Sequence, residues 1–163
     1  MERLWSPWRA KYIASGVDSQ SDECVLCRIA DDAEHDETNF VLHRAQHSFI
    51  ILNLYPYITG HLMIVPYLHT GEFDSVPKEI TDELMDLAKR SQSALREVYS
   101  PAGFNMGMNL GAAAGAGITD HMHIHMLPRW SGDTNFMTTV GETRVLPESL
   151  ETTYSKLRSK FSQ

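Results

Sequence analysis

The sequence predicts an α+β fold, a mostly antiparallel sheet with one long helix and a C-terminal helix. Short runs of β-forming residues separated by turn signals fill 40–65. Apolar residues then recur every three or four positions over 75–98, the helical period. Beyond that helix two segments alternate with period two, as strands do. Strands, helix and strands in this order suggest a helix layered on a sheet.

At 163 residues the chain is the size of one domain, and 42% hydrophobic content can build a core. The expected division is a single domain over 1–163, with an arm over 1–23 and a helix over 147–163. The arm carries the aromatics Trp5, Trp8 and Tyr12 ahead of a polar stretch from Ser15 to Glu23. Phe40-Val41-Leu42, Ser48 to Leu52 and Leu62 to Val65 read as strands. The last two are joined by a Pro- and Gly-marked loop, Asn53 to Gly60. In the long helix Ser75 is a candidate cap and Pro77 falls in the first turn. Ile80, Leu84, Leu87, Ser91, Ala94, Leu95 and Val98 form its apolar stripe, and Asp86 can pair with Arg90. Pro101-Ala102-Gly103 ends it. Phe104, Met106, Met108 and Leu110 then alternate with Asn105, Gly107 and Asn109. A small-residue loop, Gly111 to Asp120, leads into the alternating His121 to Leu127, which Pro128 closes. Leu150, Tyr154, Leu157 and Phe161 have the spacing of a short amphipathic helix.

The net charge of -7 argues against binding long nucleic acid, which requires a basic face. A small anion is still compatible, because a few N–H groups and imidazoles hold one phosphate locally. No apolar run reaches the roughly 20 residues of a membrane span. Met1 to Trp8 lacks the apolar section of a signal peptide, and Cys24 and Cys27 are too few for a disulfide framework. A cytoplasmic location is therefore expected.

The chemistry concentrates in His121-Met122-His123-Ile124-His125. Strand spacing sends the three imidazoles to one face and the apolar residues between them to the other. Three adjacent rings bring donors and acceptors that a plain solvated face would not require. Two uses remain: a metal site, since His-x-His supplies good zinc ligands, or nucleophilic catalysis by a neutral imidazole. The preceding loop favours the second. Asn109 to Gly117 holds three glycines and four alanines, so its backbone can approach a ligand and aim N–H groups at it. An N–H cradle beside an imidazole suits phosphoryl chemistry. Cys24-x-x-Cys27 has zinc-ligand spacing, but a lone CxxC is as often redox chemistry or simple burial.

The His-φ-His-φ-His-φ-φ pattern of His121 to Leu127 resembles the signature of the histidine triad family of nucleotide hydrolases and transferases. Asn53, Gly60-His61 and Val65-Pro66 resemble its ribose-binding strand and loop. Leu4 to Arg9, Pro128-Arg129-Trp130 and Gly132 to Phe136 resemble its diadenosine tetraphosphate phosphorylase and hydrolase branch. The resemblance implies the histidine-triad fold for the whole domain. It makes His123 the nucleophile that attacks an α-phosphorus to give a covalent nucleotidyl-imidazole, and His125 the donor to the leaving oxygen. Catalytic residues are then His121, His123 and His125. Nucleotide-binding residues are Asn53 at the ribose, Asn109 near the leaving group, Gly115, Ala116, Gly117 and Ile118 at the phosphate, and His61 beside the triad. It also implies a closed structural zinc on Cys24, Cys27, His69 and His121, no redox cofactor, and a homodimer. The substrate class implied is dinucleoside polyphosphates, with nucleoside phosphoramidates or non-catalytic nucleotide binding as alternatives. Phosphorylase members usually carry a hydroxyl residue beside the last loop glycine, whereas here the run is Gly115-Ala116-Gly117-Ile118. Water is thus an alternative acceptor to phosphate. Base preference and polyphosphate length are not written in any motif. His35, His43 and His47 are expected to be ordinary surface or strand-end residues.

Overall fold

The computed structural model describes residues 23–134 and 147–161. The arm expected over 1–23 lies outside the described residues apart from Glu23, as do Asn135 and Phe136. Helix α1 spans Val25–Asp31, and strands β1 (Val41–Arg44), β2 (Ser48–Leu52) and β3 (Leu62–Pro66) follow. Then come α2 (Lys78–Tyr99), β4 (Gly103–Gly107), β5 (Ile124–Arg129) and α3 (Leu150–Phe161). The five strands form one sheet in the order β1-β2-β3-β5-β4, every neighbouring pair antiparallel. The predicted α+β architecture is therefore the observed one, with its long helix and C-terminal helix.

Alternation along the strands divides the core in two. On one face Ile50, Leu52, Leu62, Ile64, Met122, Ile124 and Met126 pack beneath α2, which contributes Ile80, Leu84, Leu87, Ala88, Ala94 and Leu95. On the other face Phe49, Ile51 and Val65 meet Leu26 and Ile29 of α1. This second cluster is small, and the histidine-bearing side of β5 shares its face of the sheet. Helix α3 packs on α2 and β1 of its own chain, burying Thr153, Tyr154, Leu157 and Phe161. Tyr154 donates to the Val41 carbonyl at 3.2 Å and Arg158 to the Leu42 carbonyl at 2.8 Å, which ties it to β1. Among the described residues no helix is long and apolar enough to cross a membrane.

Several local expectations change. Ser75 does not cap α2; its hydroxyl donates to the Glu72 carbonyl within a tight turn, and Pro77 occupies the cap position. The helix ends on Ser100, in the left-handed region (φ 44°), with its N–H returned to the Arg96 carbonyl. Asp86 pairs with Lys89 at 2.9 Å, because Arg90 turns inward to His43 Nε2 (3.0 Å) and the Phe161 carbonyl (3.0 Å). His43 thus anchors the C-terminal helix rather than lying idle at a strand end. Helix α1, seven residues long, was too short to show a period in the sequence. Strand β4 stops at Gly107, and β5 begins only at Ile124, so His121 and His123 lie just before its ladder. Pro128 lies within β5, opposite Phe104, beyond the last residue that β3 pairs with it.

Candidate active site

Because Met122, Ile124 and Met126 are drawn under α2, His121, His123 and His125 emerge together on the opposite face. They are 0%, 6% and 8% exposed. His123 and His125 meet edge to face with centroids 4.8 Å apart. A fourth imidazole joins them from the start of β3. His61 is 1% exposed, with its ring centroid 5.1 Å from that of His125. It is placed there by Gly60, whose φ of +79° favours glycine and where a Cβ would lie 3.1 Å from Leu95 and 3.2 Å from Pro128.

Hydrogen bonding determines where each ring keeps its proton. His123 Nδ1 lies 3.0 Å from the His121 carbonyl, which can only accept, so Nδ1 carries the proton. Burial holds the His123 pKa below its ordinary value, so the ring is neutral and Nε2 keeps its lone pair. On the other ring pair, His61 Nδ1 accepts the Tyr57 backbone N–H at 3.1 Å. The His61 proton is therefore on Nε2, which donates to His125 Nδ1 at 2.9 Å. His125 must then carry its own proton on Nε2. The site thus presents one imidazole nitrogen with a lone pair beside another that carries a proton, chemically a candidate nucleophile next to a hydrogen-bond donor.

Burial, with His125 and His123 close by, pushes His61 down to about 3 from an ordinary 6.5. Its folded pKa lies below its unfolded one, so between those values the unfolded chain binds more protons. The stabilisation is complete above about pH 6.5 and is lost progressively as pH falls toward 3. The slope is at most about 1.4 kcal/mol per pH unit for this group. Denaturant midpoints measured at pH 7.5 and pH 5 should show the wild type weakening more steeply than His61→Leu. Equal slopes would show that His61 is not buried neutral.

The glycine loop leads directly into His121 along the chain. Gly111 (φ 78°) and Gly115 (φ 87°) bracket a 3₁₀ turn over Ala112–Ala114, and Ile118 packs its side chain into the α1 cluster. Of the N–H groups expected at the phosphate, two are spent inside the loop, Gly115 on the Ala112 carbonyl and Ala116 on the Gly111 carbonyl. Those of Gly117 and Ile118 make no hydrogen bond among the described residues. Asn109 is partly buried just beyond β4. Asn53 accepts the Tyr55 N–H at 2.9 Å and lies 3.4 Å from His61 Nδ1.

The four expected metal ligands also converge. The donor atoms of Cys24, Cys27, His69 and His121 all lie within 4.8 Å of one another. Cys27 Sγ is 3.1 Å from His69 Nδ1, and Cys24 Sγ is 3.4 Å from His121 Nδ1. His121 Nε2 donates to the Pro66 carbonyl at 2.8 Å, which leaves the Nδ1 lone pair facing the sulfurs. Two thiol sulfurs and two imidazole nitrogens suit a tetrahedral zinc. Burial and the neighbouring Cys24 push the Cys27 thiol up to about 11, and a bound cation would invert that, holding both as thiolates.

Three contributors escaped sequence reasoning. The Tyr57 N–H and the Pro66 carbonyl are backbone groups, on which residue type carries no signal. Gly71 is the third: a Cβ there would sit 2.5 Å from the Thr119 carbonyl, so glycine lets the His69 loop close against the end of the glycine loop. Tyr57 also covers the His61 ring at 4.6 Å, whereas Trp130 packs on Tyr99 at the end of α2.

Residues 34–132 match the HIT domain family. The chain belongs to the histidine triad family. It is 34% identical to a Mycobacterium tuberculosis protein named AP-4-A phosphorylase, over 100% of this chain and 86% of that one. It is 31% identical to the asymmetrical bis(5'-nucleosyl)-tetraphosphatase of Schizosaccharomyces pombe, over 57% of this chain and 50% of that one. Among solved structures, a zinc-bound histidine triad protein from Mycobacterium smegmatis superposes with a TM-score of 0.69 at 27% identity. That match covers 86% of this chain and 94% of the other.

Proposed function

We propose that the protein cleaves dinucleoside polyphosphates of the diadenosine tetraphosphate type at the α-phosphate, through a covalent nucleotide on His123. The observation that carries the reading is the pair of opposite tautomers, unprotonated at His123 Nε2 and protonated at His125 Nε2. In the first step His123 Nε2 forms a bond to the α-phosphorus. The bond to the bridging oxygen breaks, and the His125 Nε2–H donates a hydrogen bond to that oxygen, which leaves as an anion. In the second step an acceptor, water or phosphate, displaces the nucleotide from His123 and releases its proton to solvent. The backbone N–H groups of Gly117 and Ile118 face no competing partner among the described residues and would hold the α-phosphate oxygens, with Asn53 at the ribose and Asn109 near the leaving group. The relatives named for phosphorolysis and asymmetric hydrolysis of such substrates support the substrate class.

Incubation with diadenosine tetraphosphate, with and without inorganic phosphate, separates the acceptors. ADP plus ATP formed only with phosphate marks a phosphorylase; AMP plus ATP without it marks an asymmetric hydrolase. Cleavage of an adenosine phosphoramidate alone would replace this reading with a phosphoramidase, and binding with no turnover of either would leave a nucleotide-binding protein.

In the same reading His61 is a positioning residue, fixing the His125 tautomer. His61→Ala should lower kcat on diadenosine tetraphosphate by about 10²-fold. Imidazole ¹⁵N spectra of the variant should show that His125 no longer keeps its proton on Nε2 alone. An unchanged His125 tautomer beside the lost turnover would assign His61 to structure alone.

A bound structural zinc, a cytoplasmic location and a homodimer complete the proposal. The dimer is supported by β4, an edge strand that leaves Met106 52% and nearby Leu110 44% exposed. Light scattering that returned the 18.4 kDa of one chain would remove it.

A further inference from the structure

The cysteine cluster and the reacting histidines meet in one residue. His121 turns Nδ1 toward Cys24 (3.4 Å) and Cys27 (3.5 Å), while its carbonyl accepts the His123 Nδ1 proton at 3.0 Å. Its remaining nitrogen is held by Pro66 at 2.8 Å, so the residue has no slack. Displacing His121 from the sulfur side therefore moves the group that orients His123.

The two cysteines are placed for chemistry of their own. Cys24 is the N-cap of α1 and Cys27 lies in its first turn, so helix geometry sets their Cα atoms about 5 Å apart, within the roughly 4.4–6.8 Å that a disulfide spans. Both are free thiols of intermediate exposure, and their sulfurs lie within 4.8 Å of one another. A small oxidant can reach them, while the triad on the same face is almost fully buried. Their partner ligands, His69 and His121, cannot be oxidised in the same way, so the pair is the vulnerable half of the metal site.

We propose that Cys24 and Cys27 form a redox gate: a peroxide converts them to a disulfide, the zinc held by the four ligands leaves, and His121 no longer orients His123. One thiolate attacks a peroxide oxygen, breaking the O–O bond to give a sulfenic acid and hydroxide. The second thiolate attacks that sulfenyl sulfur, forming the S–S bond and releasing a second hydroxide. Two protons from solvent convert both hydroxides to water. In sum, two thiolates, one hydrogen peroxide and two protons give one disulfide and two waters, and the metal departs as the hydrated dication. A thiol reductant reverses the step and restores the ligands. The effect on turnover rests on the nucleotidyl-His123 reading, whereas disulfide formation and metal release do not.

The test uses the full zinc-loaded chain titrated with hydrogen peroxide. Zinc release is followed with a metallochromic dye, and the Cys24–Cys27 peptide is followed for the mass loss of two hydrogens. Imidazole ¹⁵N spectra follow the His123 Nδ1–H bond, and turnover is measured in parallel. One zinc should leave per disulfide formed, the His123 signals should shift, and turnover should fall by about 10–100-fold. Reductant plus zinc should restore all of them. Cys27→His keeps a nitrogen ligand but cannot form the disulfide. Compared with its own untreated sample, it should keep zinc and turnover under peroxide. Four results would overturn the gate: failure of the chain to take up zinc, oxidation without the disulfide, disulfide with unchanged His123 signals, or equal inactivation of Cys27→His. A chain that shows disulfide, zinc release and shifted His123 signals but never turned over a nucleotide would sink the catalytic reading and leave the gate standing.

Discussion

Replacing His123 by asparagine should reduce turnover of diadenosine tetraphosphate by roughly 10⁴-fold or more, the loss expected when the covalent nucleophile itself is removed. Asparagine is the informative choice. Its side-chain N–H can keep the bond to the His121 carbonyl that Nδ1 makes at 3.0 Å, while it has no nitrogen lone pair to offer a phosphorus. The neighbouring packing should survive, because Met122 and Ile124, which anchor the segment under α2, are unchanged. A melting temperature close to wild type beside the lost turnover would place the defect in chemistry. Intact-mass analysis of acid-free quenched reactions should show a nucleotide adduct on the wild type and none on the variant. Turnover within tenfold of wild type would remove His123 as nucleophile and, with it, the mechanism derived from its tautomer.

Stripping the metal should lower the melting temperature by about 10 °C. A ligand bound at a thousand times its dissociation constant stabilises the native state by about 4 kcal/mol. In a chain of this size each kcal/mol moves the midpoint by roughly 2–4 °C. The structural reason lies in what the four ligands join. Cys24 and Cys27 belong to α1, His69 to the loop after β3, and His121 to the segment entering β5. Few apolar contacts do the same work, since only Leu26 and Ile29 of α1 are buried against the sheet. Calorimetry with and without a zinc chelator measures the shift, and the double variant Cys24→Ser, Cys27→Ser should melt at the stripped temperature and ignore the chelator. An unchanged midpoint would mean that the cluster is held without a metal. Turnover should fall as well, by about 10–100-fold, because His121 orients His123.

Much of the fold was legible from periodicity. Strand β2 appears where its run of β-forming residues places it, and the apolar stripe of α2 where the three-to-four spacing does, because both faces of β2 are buried and α2 presents one stripe to the sheet. Element ends were less legible. Ser75 has the right chemistry for a cap, but the tight turn at 73–75 takes its hydroxyl first. Asp86 and Arg90 have pairing distance on a helix, yet Arg90 is drawn inward by His43 and the end of α3, contacts that are long-range in sequence. Helix α1 escaped notice because seven residues do not complete two turns.

For the candidate site, the sequence by itself determined the inventory. Alternation placed three imidazoles on one face, and the glycine-rich loop and paired cysteines marked what would stand beside them. Side-chain identity and local spacing suffice for that, since a strand's two-residue period is a property of its backbone. Only the tertiary structure decided which nitrogen of each ring carries a proton. That depends on the Tyr57 N–H, the Pro66 carbonyl and the His121 carbonyl, backbone groups that every sequence contains. It likewise decided that His61, 64 residues before His125, donates to His125 Nδ1. A lone histidine carries no sign of its partner in a sequence; the antiparallel pairing of β3 with β5 brings the two together. Proton placement is set by which acceptor lies within about 3 Å, a distance that exists only once the chain has folded.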